Sequence, residues 1–112
     1  MPETPVLYLW ARCSACRNAR QALMWSGVAF DERDFFKDRL SINEIRRIVA
    51  LSSADAVFSW KSPSAEAHRE RRHELRPDDL IALMAGEPRL IRRPILVRNG
   101  EISIGYPLRT RT

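Results

Sequence analysis

Apolar and polar positions follow a strand–helix–strand order along the first third of the chain. The apolar run VLYLW at residues 6–10 is typical of a short buried strand. Ser14 suits the cap of a helix that runs to about Ser26, where Gly27 would end it. The segment VAFDERDFF at residues 28–36 predicts a second strand, parallel to the first. The apolar side chains predicted to face the core are Ala19, Ala22, Leu23, Trp25, Val28, Phe30 and Phe35.

A helix is predicted to follow this unit. Ser41 and Glu44 form a capping-box pattern that starts a helix through about Ala50. Its predicted apolar stripe consists of Ile42, Ile45, Ile48 and Val49. Residues 52–63 mix polar and apolar types without a period, so they are predicted to be irregular.

Two further helices are predicted before the last third of the chain. Residues 64–75 carry many charges and are expected to form a mostly exposed helix. Pro77 suits the first position of another helix, where its missing N–H costs nothing, and the acids behind it suit the positive end of the dipole. This helix is expected to end at Gly86.

The last third of the chain predicts a β-hairpin. Residues 95–97 are β-branched or leucine, as in a buried strand. Asn99-Gly100 is a strong signal for a two-residue type I′ turn. Ile102 and Ile104 alternate with polar residues on the return strand. The predicted fold class is therefore α/β, with a βαβ unit, helices and a final hairpin.

Composition narrows the classes of protein that the chain can belong to. With 112 residues, of which 45% are hydrophobic, we expect a single domain with a real core. No apolar run approaches the roughly 18 residues that a membrane span requires. The first ten residues also lack the features of a signal peptide. We therefore expect a cytoplasmic protein that has no membrane partner.

The chain is basic, with a net charge of +5 and a pI of about 10.0. Such a charge suits an anionic substrate or an acidic partner, and the alternative is a solvated basic surface. The densest basic cluster, HRERRHELR at residues 68–76, is interleaved with Glu70 and Glu74. Because this pattern fits a charged helix face better than a surface that follows phosphates, we expect no direct nucleic-acid binding.

The motif RCSACRN at residues 12–18 contains both cysteines of the chain, Cys13 and Cys16. A zinc site would need a second pair of ligands at a set spacing. The two histidines, His68 and His73, are too far along the chain for such a site, so we predict no metal. A stable structural disulfide is not expected in the cytoplasm.

Redox chemistry suits the two thiols better. Cys13 would lie just before a helix, whose free N–H groups favour a thiolate, and Arg12 and Arg17 add positive charge. Cys16, one helical turn later, would be within reach for a disulfide. A C-x-x-C after a first strand is where a thioredoxin-like redox motif lies. Two incidental buried cysteines are the alternative.

Three segments, CSACRNARQAL, FDERDFFKDRLSINEI and EPRLIRRPILVRNGEISIGY, together resemble the arsenate reductase (ArsC)-like and Spx-like family over about residues 5–107. The resemblance implies a thioredoxin-like fold with a mixed sheet and a helical insertion at about residues 41–86. It also implies that Pro94 is the cis proline that faces the redox cysteine in such folds. An ordinary proline at the start of a strand is the alternative.

The resemblance implies one of two functions. In the reductases, the first cysteine attacks arsenate, arginines hold the oxyanion, and glutathione with glutaredoxin, or thioredoxin, supplies electrons. In the Spx-like regulators, the C-x-x-C disulfide is a redox switch and the protein binds the RNA polymerase α subunit. Neither function implies a bound cofactor.

Carried over residue by residue, the resemblance implies a site around the motif. Cys13 matches the reductase nucleophile, and Arg93 matches the arginine before the family proline. Lys61 stands where the reductases have a middle arginine. The expected site comprises catalytic Cys13 and Cys16, oxyanion-binding Arg12, Arg17, Lys61 and Arg93, and structural Ser14, Asn18 and Pro94.

The chain also departs from both branches of the family. LWAR at residues 9–12 lacks the reductase histidine, and Tyr106 stands where their last arginine would be. SSADA at residues 52–56 lacks the glycine of the Spx-like polymerase-binding surface, and the usual C-terminal helix is expected to be short or missing. Cys16 matches the Spx-like motif.

On balance we expect a thiol-dependent reductase that converts arsenate to arsenite through a Cys13 adduct resolved by Cys16. A redox-sensing regulator of the Spx-like kind is the alternative. A general disulfide reductase without an oxyanion site is a third reading.

Overall fold

The structure, a computed structural model, describes residues 4–109. The described residues divide into two compact units, of which the first comprises residues 4–38 with 93–109 and the second residues 39–92. The predicted helical insertion, about residues 41–86, falls within the range of the second unit. That the whole chain is one domain stays a prediction.

A four-stranded sheet forms the first unit, in the order β2-β1-β3-β4. The strands are β1 Val6–Leu9, β2 Asp31–Asp34, β3 Ile95–Arg98 and β4 Glu101–Ile104. Strand β1 pairs parallel with β2 and antiparallel with β3, and β3 pairs antiparallel with β4. The predicted α/β class, with a βαβ unit followed by a hairpin, is confirmed.

Strand β2 is shorter and more polar than the predicted segment at residues 28–36, because it consists of DERD alone. It lies at the edge of the sheet, where charged side chains protect unpaired backbone groups from further pairing. Of the three side chains in this segment that are predicted to face the core, Phe35 is buried, whereas Val28 and Phe30 are half-buried.

The final hairpin turns as predicted. Asn99 has φ 51° and Gly100 has φ 75°, the two positive values that a type I′ turn requires. On β4 the buried side chain is Ser103, and Ile102 and Ile104 are half-buried. The Ser103 hydroxyl is satisfied there, because its oxygen accepts a hydrogen bond of 2.7 Å from the Arg109 backbone N–H.

Helix α1 spans Ser14–Ser26 and ends, as predicted, at Gly27, which has φ 77°. The N-cap residue is Cys13, so the prediction that Ser14 caps this helix is wrong. The inner face is also narrower than predicted, because Ala22 is exposed and the Trp25 side chain is 82% exposed. The core of this unit joins α1 to the sheet through Leu7, Leu9, Cys16, Ala19, Leu23 and Leu96.

The second unit is helical. Its α-helices are α2 Ile42–Ala50, α3 Ala54–Val57, α4 Glu66–Arg69 and α5 Pro77–Gly86, with 3-10 turns at Pro63–Ala65 and Pro88–Leu90. Helix α5 packs against α2 and α3. The side chains buried in these three helices are Ile45, Ile48, Ala54, Val57, Leu80, Ile81 and Met84.

The predicted starts of α2 and α5 are confirmed. The Ser41 hydroxyl accepts from the Glu44 N–H at 3.1 Å, and the Glu44 carboxylate accepts from the Ser41 N–H at 3.0 Å. Pro77 is the first residue of α5. The apolar stripe that α2 turns to the core is one residue narrower than predicted, because Ile42 is exposed.

The charged segment at residues 64–75 is not the helix that was predicted. Only the single turn α4 is α-helical, and turns follow it. Arg69 donates from its guanidinium to the backbone oxygens of Trp60 and Ser62, at 2.7 and 2.9 Å. The segment has no apolar stripe to hold a long helix in place, so these side-chain contacts determine its path. Residues 52–63, predicted to be irregular, include the short helix α3.

Candidate active site

The two cysteines lie where β1 turns into α1. The chain leaves β1 at Leu9, and the Cys13 backbone N–H donates to the Trp10 carbonyl oxygen at 3.0 Å, which closes a tight turn. Cys13 is extended, with φ −87° and ψ 123°, and its carbonyl oxygen accepts from the Arg17 N–H at 3.0 Å. Cys13 therefore stands at the start of the helix, beside N–H groups that have no partner within it.

The two thiols differ in exposure. Both are free cysteines, but Cys13 is half-buried whereas Cys16 is completely buried in the core of the first unit. The Cys16 sulfur accepts a hydrogen bond of 3.5 Å from the Trp10 backbone N–H. A reagent in solution can therefore reach Cys13, and Cys16 is reached only through Cys13 or after local movement.

The pKa of the Cys16 thiol is raised from 9.0 to about 12, mainly by burial, and a hydrogen bond and charge interaction with Cys13 act in the same direction. The Trp10 N–H and the Arg93 guanidinium act in the opposite direction, because they favour the thiolate. The balance keeps Cys16 a neutral thiol near pH 7. The site thus contains one sulfur that reagents can reach and a second, protonated sulfur that is buried.

Arg93 belongs to an aromatic stack beside the cysteines. The rings of Trp10 and Phe36 are stacked, with centroids 4.3 Å apart and an interplanar angle of 14°. The Arg93 guanidinium carbon lies 5.6 Å from the Trp10 centroid and 5.3 Å from the Phe36 centroid. These distances are within the range of cation–π attraction.

The two arginines of the RCSACRN motif that are predicted to bind the oxyanion are on the surface. Arg12 and Arg17 are both exposed. The Arg17 guanidinium donates to the Ala11 carbonyl oxygen at 3.2 Å, which folds its side chain back toward the loop before Cys13. Long exposed arginines of this kind can turn toward an anion, at a cost in side-chain conformational entropy.

The remaining predicted site residues occupy different places. Ser14 is the exposed first residue of α1, and Asn18 is exposed one turn later. The Arg93–Pro94 peptide bond is cis and Pro94 is buried, so the cis geometry that the resemblance implied is confirmed. Lys61 belongs to the second unit, where it is exposed and lines a groove with Trp60. Its part in oxyanion binding stays a prediction.

Asp34 connects the two loops that carry the aromatic stack. One carboxylate oxygen accepts from the Ala11 N–H at 3.2 Å, in the loop before Cys13. The other accepts from the N–H groups of Phe36 and Lys37, at 3.0 and 3.3 Å. The carboxylate therefore fixes the spacing between the Trp10 loop and the Phe36 loop.

Sequence reasoning did not identify Trp10, Phe36 or Asp34 as part of the site. The apolar run at residues 6–10 predicts that Trp10 ends a buried strand, whereas β1 ends at Leu9. An aspartate at the end of a strand, two residues before an aromatic, is a signal for an Asx turn and could have identified the Phe36 loop. No local signal joins that loop to Trp10.

Metal and membrane sites have no support in the part of the chain that the structure describes. Within residues 4–109, no group of three or more histidine, cysteine, aspartate or glutamate side chains could hold a metal ion. No helix in the same range is both long enough and apolar enough to cross a bilayer.

Known proteins resemble the chain over nearly its whole length. The model of the ArsC family matches residues 8–110. The global transcriptional regulator Spx of Staphylococcus aureus is 28% identical over 102 residues, which are 89% of this chain and 78% of that protein. The regulatory protein MgsR of Bacillus subtilis is 27% identical over 108 residues, which are 95% of this chain and 86% of that protein.

A solved structure extends the likeness to the fold. The arsenate reductase from Vibrio cholerae superposes with a TM-score of 0.82 at 29% identity, covering 93% of this chain and 91% of that chain. The thioredoxin-like fold that the sequence resemblance implied is thereby confirmed. Relatives of the chain include both a reductase and transcriptional regulators.

Proposed function

Since the chain belongs to the ArsC family, we propose that it is a thiol-dependent reductase that converts arsenate to arsenite. The observation that carries this proposal is the asymmetry of the two thiols: half-exposed Cys13 begins a helix, and neutral Cys16 lies buried behind it. An accessible nucleophile with an internal second thiol suits a reaction that ends in a disulfide.

In the first step, the Cys13 thiolate attacks the arsenic atom of arsenate. A sulfur–arsenic bond forms, and one arsenate oxygen leaves as water after it takes up protons, so arsenic remains in the +5 state. The guanidiniums of Arg12, Arg17 and Arg93 would bind the oxyanion, because their planar N–H groups match tetrahedral oxygens.

In the second step, Cys16 loses its proton and attacks the Cys13 sulfur. The sulfur–sulfur bond forms, the sulfur–arsenic bond breaks, and its electron pair stays on arsenic, which leaves as arsenite in the +3 state. The two thiols have then lost two electrons together. Thioredoxin, or glutathione with glutaredoxin, returns these electrons by reducing the disulfide.

The high pKa of Cys16 has a role in this order of events. A protonated buried thiol does not compete with Cys13 for arsenate or for stray oxidants. The positive charge of Arg93 lowers the cost of forming the Cys16 thiolate when it must attack. The two thiols would therefore react one after the other, Cys13 with arsenate and then Cys16 with the Cys13 adduct.

NADPH consumption with arsenate tests this function in two coupled systems, one with thioredoxin and its reductase and one with glutathione and glutaredoxin. We expect sustained turnover that Cys13→Ser abolishes. Cys16→Ser should lose turnover with thioredoxin alone, since it has no internal thiol to resolve the adduct. If Cys16→Ser turned over with thioredoxin as well as the wild type does, the resolving role would be wrong.

The contribution of Lys61 needs a separate variant. If Lys61 helps to hold the oxyanion, Lys61→Ala raises the KM for arsenate more than Lys37→Ala does. Lys37 is an exposed lysine in the first unit and is the matched control. Equal KM values for the two variants would remove Lys61 from the oxyanion-binding set.

A redox-sensing regulator is the second candidate, favoured by the similarity to Spx and MgsR. In that function the Cys13–Cys16 disulfide would act as a switch, and the RNA polymerase α subunit would be the partner. The expected result is capture of that subunit by the oxidised protein, with no multiple turnover of any oxyanion. Turnover of small disulfides that Arg93→Ala leaves unchanged, without arsenate turnover, would instead indicate a general disulfide reductase.

A further inference from the structure

Three side chains from three separate segments meet beside the dithiol. Trp10 follows β1, Phe36 follows β2, and Arg93 precedes β3, so all three lie at the same end of the sheet. The rings of Trp10 and Phe36 stack face to face with centroids 4.3 Å apart, and the Arg93 guanidinium carbon lies 5.6 and 5.3 Å from their centroids, within cation–π distance of both. We refer to the two rings as the platform.

Hydrogen bonds fix the platform to the cysteines. The Trp10 backbone holds both of them, because its carbonyl oxygen accepts from the Cys13 N–H and its N–H donates to the Cys16 sulfur. The Asp34 carboxylate ties the Phe36 loop to the loop that contains Trp10. The position of the two rings relative to the thiols is therefore set by the backbone.

A cation–π contact restrains an arginine through the face of its guanidinium, so the contact itself uses none of the guanidinium N–H groups. The guanidinium is planar, its face packs on an aromatic ring, and its N–H groups point outward in the plane of the group. Because Arg93 lies within cation–π distance of both rings, its side chain is restrained and loses less conformational freedom on binding an oxyanion than a mobile arginine would.

We propose that Trp10 and Phe36 are positioning residues that hold the Arg93 guanidinium at the dithiol for oxyanion binding. The inference rests on the proposed function only in taking arsenate as the reacting oxyanion. Neither ring is a catalytic residue, since each acts through Arg93.

A platform that only fills space would have different consequences. Trimming Trp10 would then lower stability and activity whether or not Arg93 is present. If Trp10 acts through Arg93, its removal should cost nothing further once Arg93 is alanine. A double-mutant cycle between the two residues separates these cases.

The first measurement is arsenate turnover by the variants. Trp10→Ala and Phe36→Leu should each raise the KM for arsenate roughly tenfold, about the effect of losing a partly buried cation–π contact. Trp10→Phe, which keeps an aromatic ring, should recover most of that loss. Trp25→Ala is the matched control, because Trp25 is a highly exposed tryptophan at the far end of α1.

The second measurement detects binding without turnover. Iodoacetamide alkylates the accessible Cys13, and inorganic phosphate, which thiols do not reduce, should slow this reaction by occupying the oxyanion site. We expect Trp10→Ala to need roughly ten times more phosphate than the wild type for half-protection. Adding Trp10→Ala to Arg93→Ala should change this concentration by less than about twofold.

The two measurements separate failure of the platform from failure of the reductase. Phosphate protection that depends on Trp10, in a protein without arsenate turnover, would reject the reductase and support the platform. Additive effects of the two substitutions, an equal loss in Trp25→Ala, or no protection of the wild type by phosphate would overturn the platform. If Trp10→Ala fails to fold, as shown by its melting curve, Phe36→Leu and Trp10→Phe give the same decision.

Discussion

An arginine lies against a tryptophan in each of the two units, but the two pairs have different surroundings. In the helical unit, the Arg72 guanidinium lies 4.6 Å from the Trp60 ring centroid and donates twice to the Asp55 carboxylate, at 3.0 and 2.8 Å. In the sheet unit, Arg93 lies over Trp10 beside two thiols, and its charge acts on the buried Cys16 sulfur.

The difference shows what makes such a pair functional. The charge of Arg72 is balanced by Asp55 in an ion pair whose side chains are both about half exposed, so solvent screens it. The charge of Arg93 acts on a sulfur that water does not reach. An arginine over an aromatic ring is thus a stabilising surface feature in one unit and, next to a nucleophile, part of a candidate site in the other.

The largest expected effect comes from removing the nucleophile. Cys13→Ser should lower arsenate turnover by at least roughly a thousandfold, since a hydroxyl ionises far less readily than a thiol and is the weaker nucleophile. The melting temperature should stay close to that of the wild type, because Cys13 is only half-buried. Residual turnover within tenfold of the wild type would place the chemistry elsewhere.

Next in size is the contrast between the two arginines. Arg93→Ala should lower kcat/KM for arsenate by about 30-fold, as expected for losing a charge-assisted hydrogen bond of about 2 kcal/mol. Arg72→Ala should change kcat/KM by less than about twofold, since a screened surface ion pair contributes little. Steady-state kinetics of both variants test this, and equal losses would remove the distinction between the two pairs.

The buried thiol should make stability depend on alkaline pH. The pKa of Cys16 is about 12 in the folded chain against 9.0 in an ordinary thiol. Unfolding therefore releases a proton between these pH values, and stability falls as pH rises through them. Above pH 9 the wild type should lose about 1.4 kcal/mol more per pH unit than Cys16→Ala does.

Urea unfolding of both proteins in reductant, at pH 8, 9 and 10, measures this difference in slope. Parallel slopes would mean that the Cys16 thiol is solvated in the folded protein. Because only slopes are compared, the constant cost of trimming the Cys16 side chain does not enter.

The smallest expected effect concerns Asp55. The hydrogen bond from Arg72 holds the pKa of Asp55 below its ordinary value of 3.8. The pair therefore contributes stability above about pH 4, and this contribution is lost as pH falls through the lowered pKa. At pH 7, Asp55→Asn should lower the Tm by about 3 °C at most, and near pH 3 the difference should be smaller.

Thermal melts of Asp55→Asn and the wild type at the two pH values check this prediction. Asp38→Asn is a useful reference, since Asp38 also pairs with an arginine on the surface, but in the sheet unit. A Tm loss for Asp55→Asn that is as large at pH 3 as at pH 7 would show that the side chain acts through packing.

The sequence predicted those parts of the candidate site that depend on residues close together in the chain. The C-x-x-C motif, its place between β1 and α1, and the glycine that ends α1 all follow from neighbours within a few residues. The burial of Cys16 was not predictable in the same way, because it depends on Leu96 from the far end of the chain. The outward direction of Trp25 likewise contradicts its apolar character.

Four features follow from the sequence alone: the capping box at Ser41, the type I′ turn at Asn99, the βαβ order and the membership of the ArsC family. The capping box and the turn depend on short-range sterics and hydrogen bonds, which act within one helical turn or one hairpin. The contact of Arg93 with the stacked rings of Trp10 and Phe36 arises only when the chain folds. Their contact requires three strand ends to meet at one edge of the sheet, and no period or motif in the chain encodes that distance.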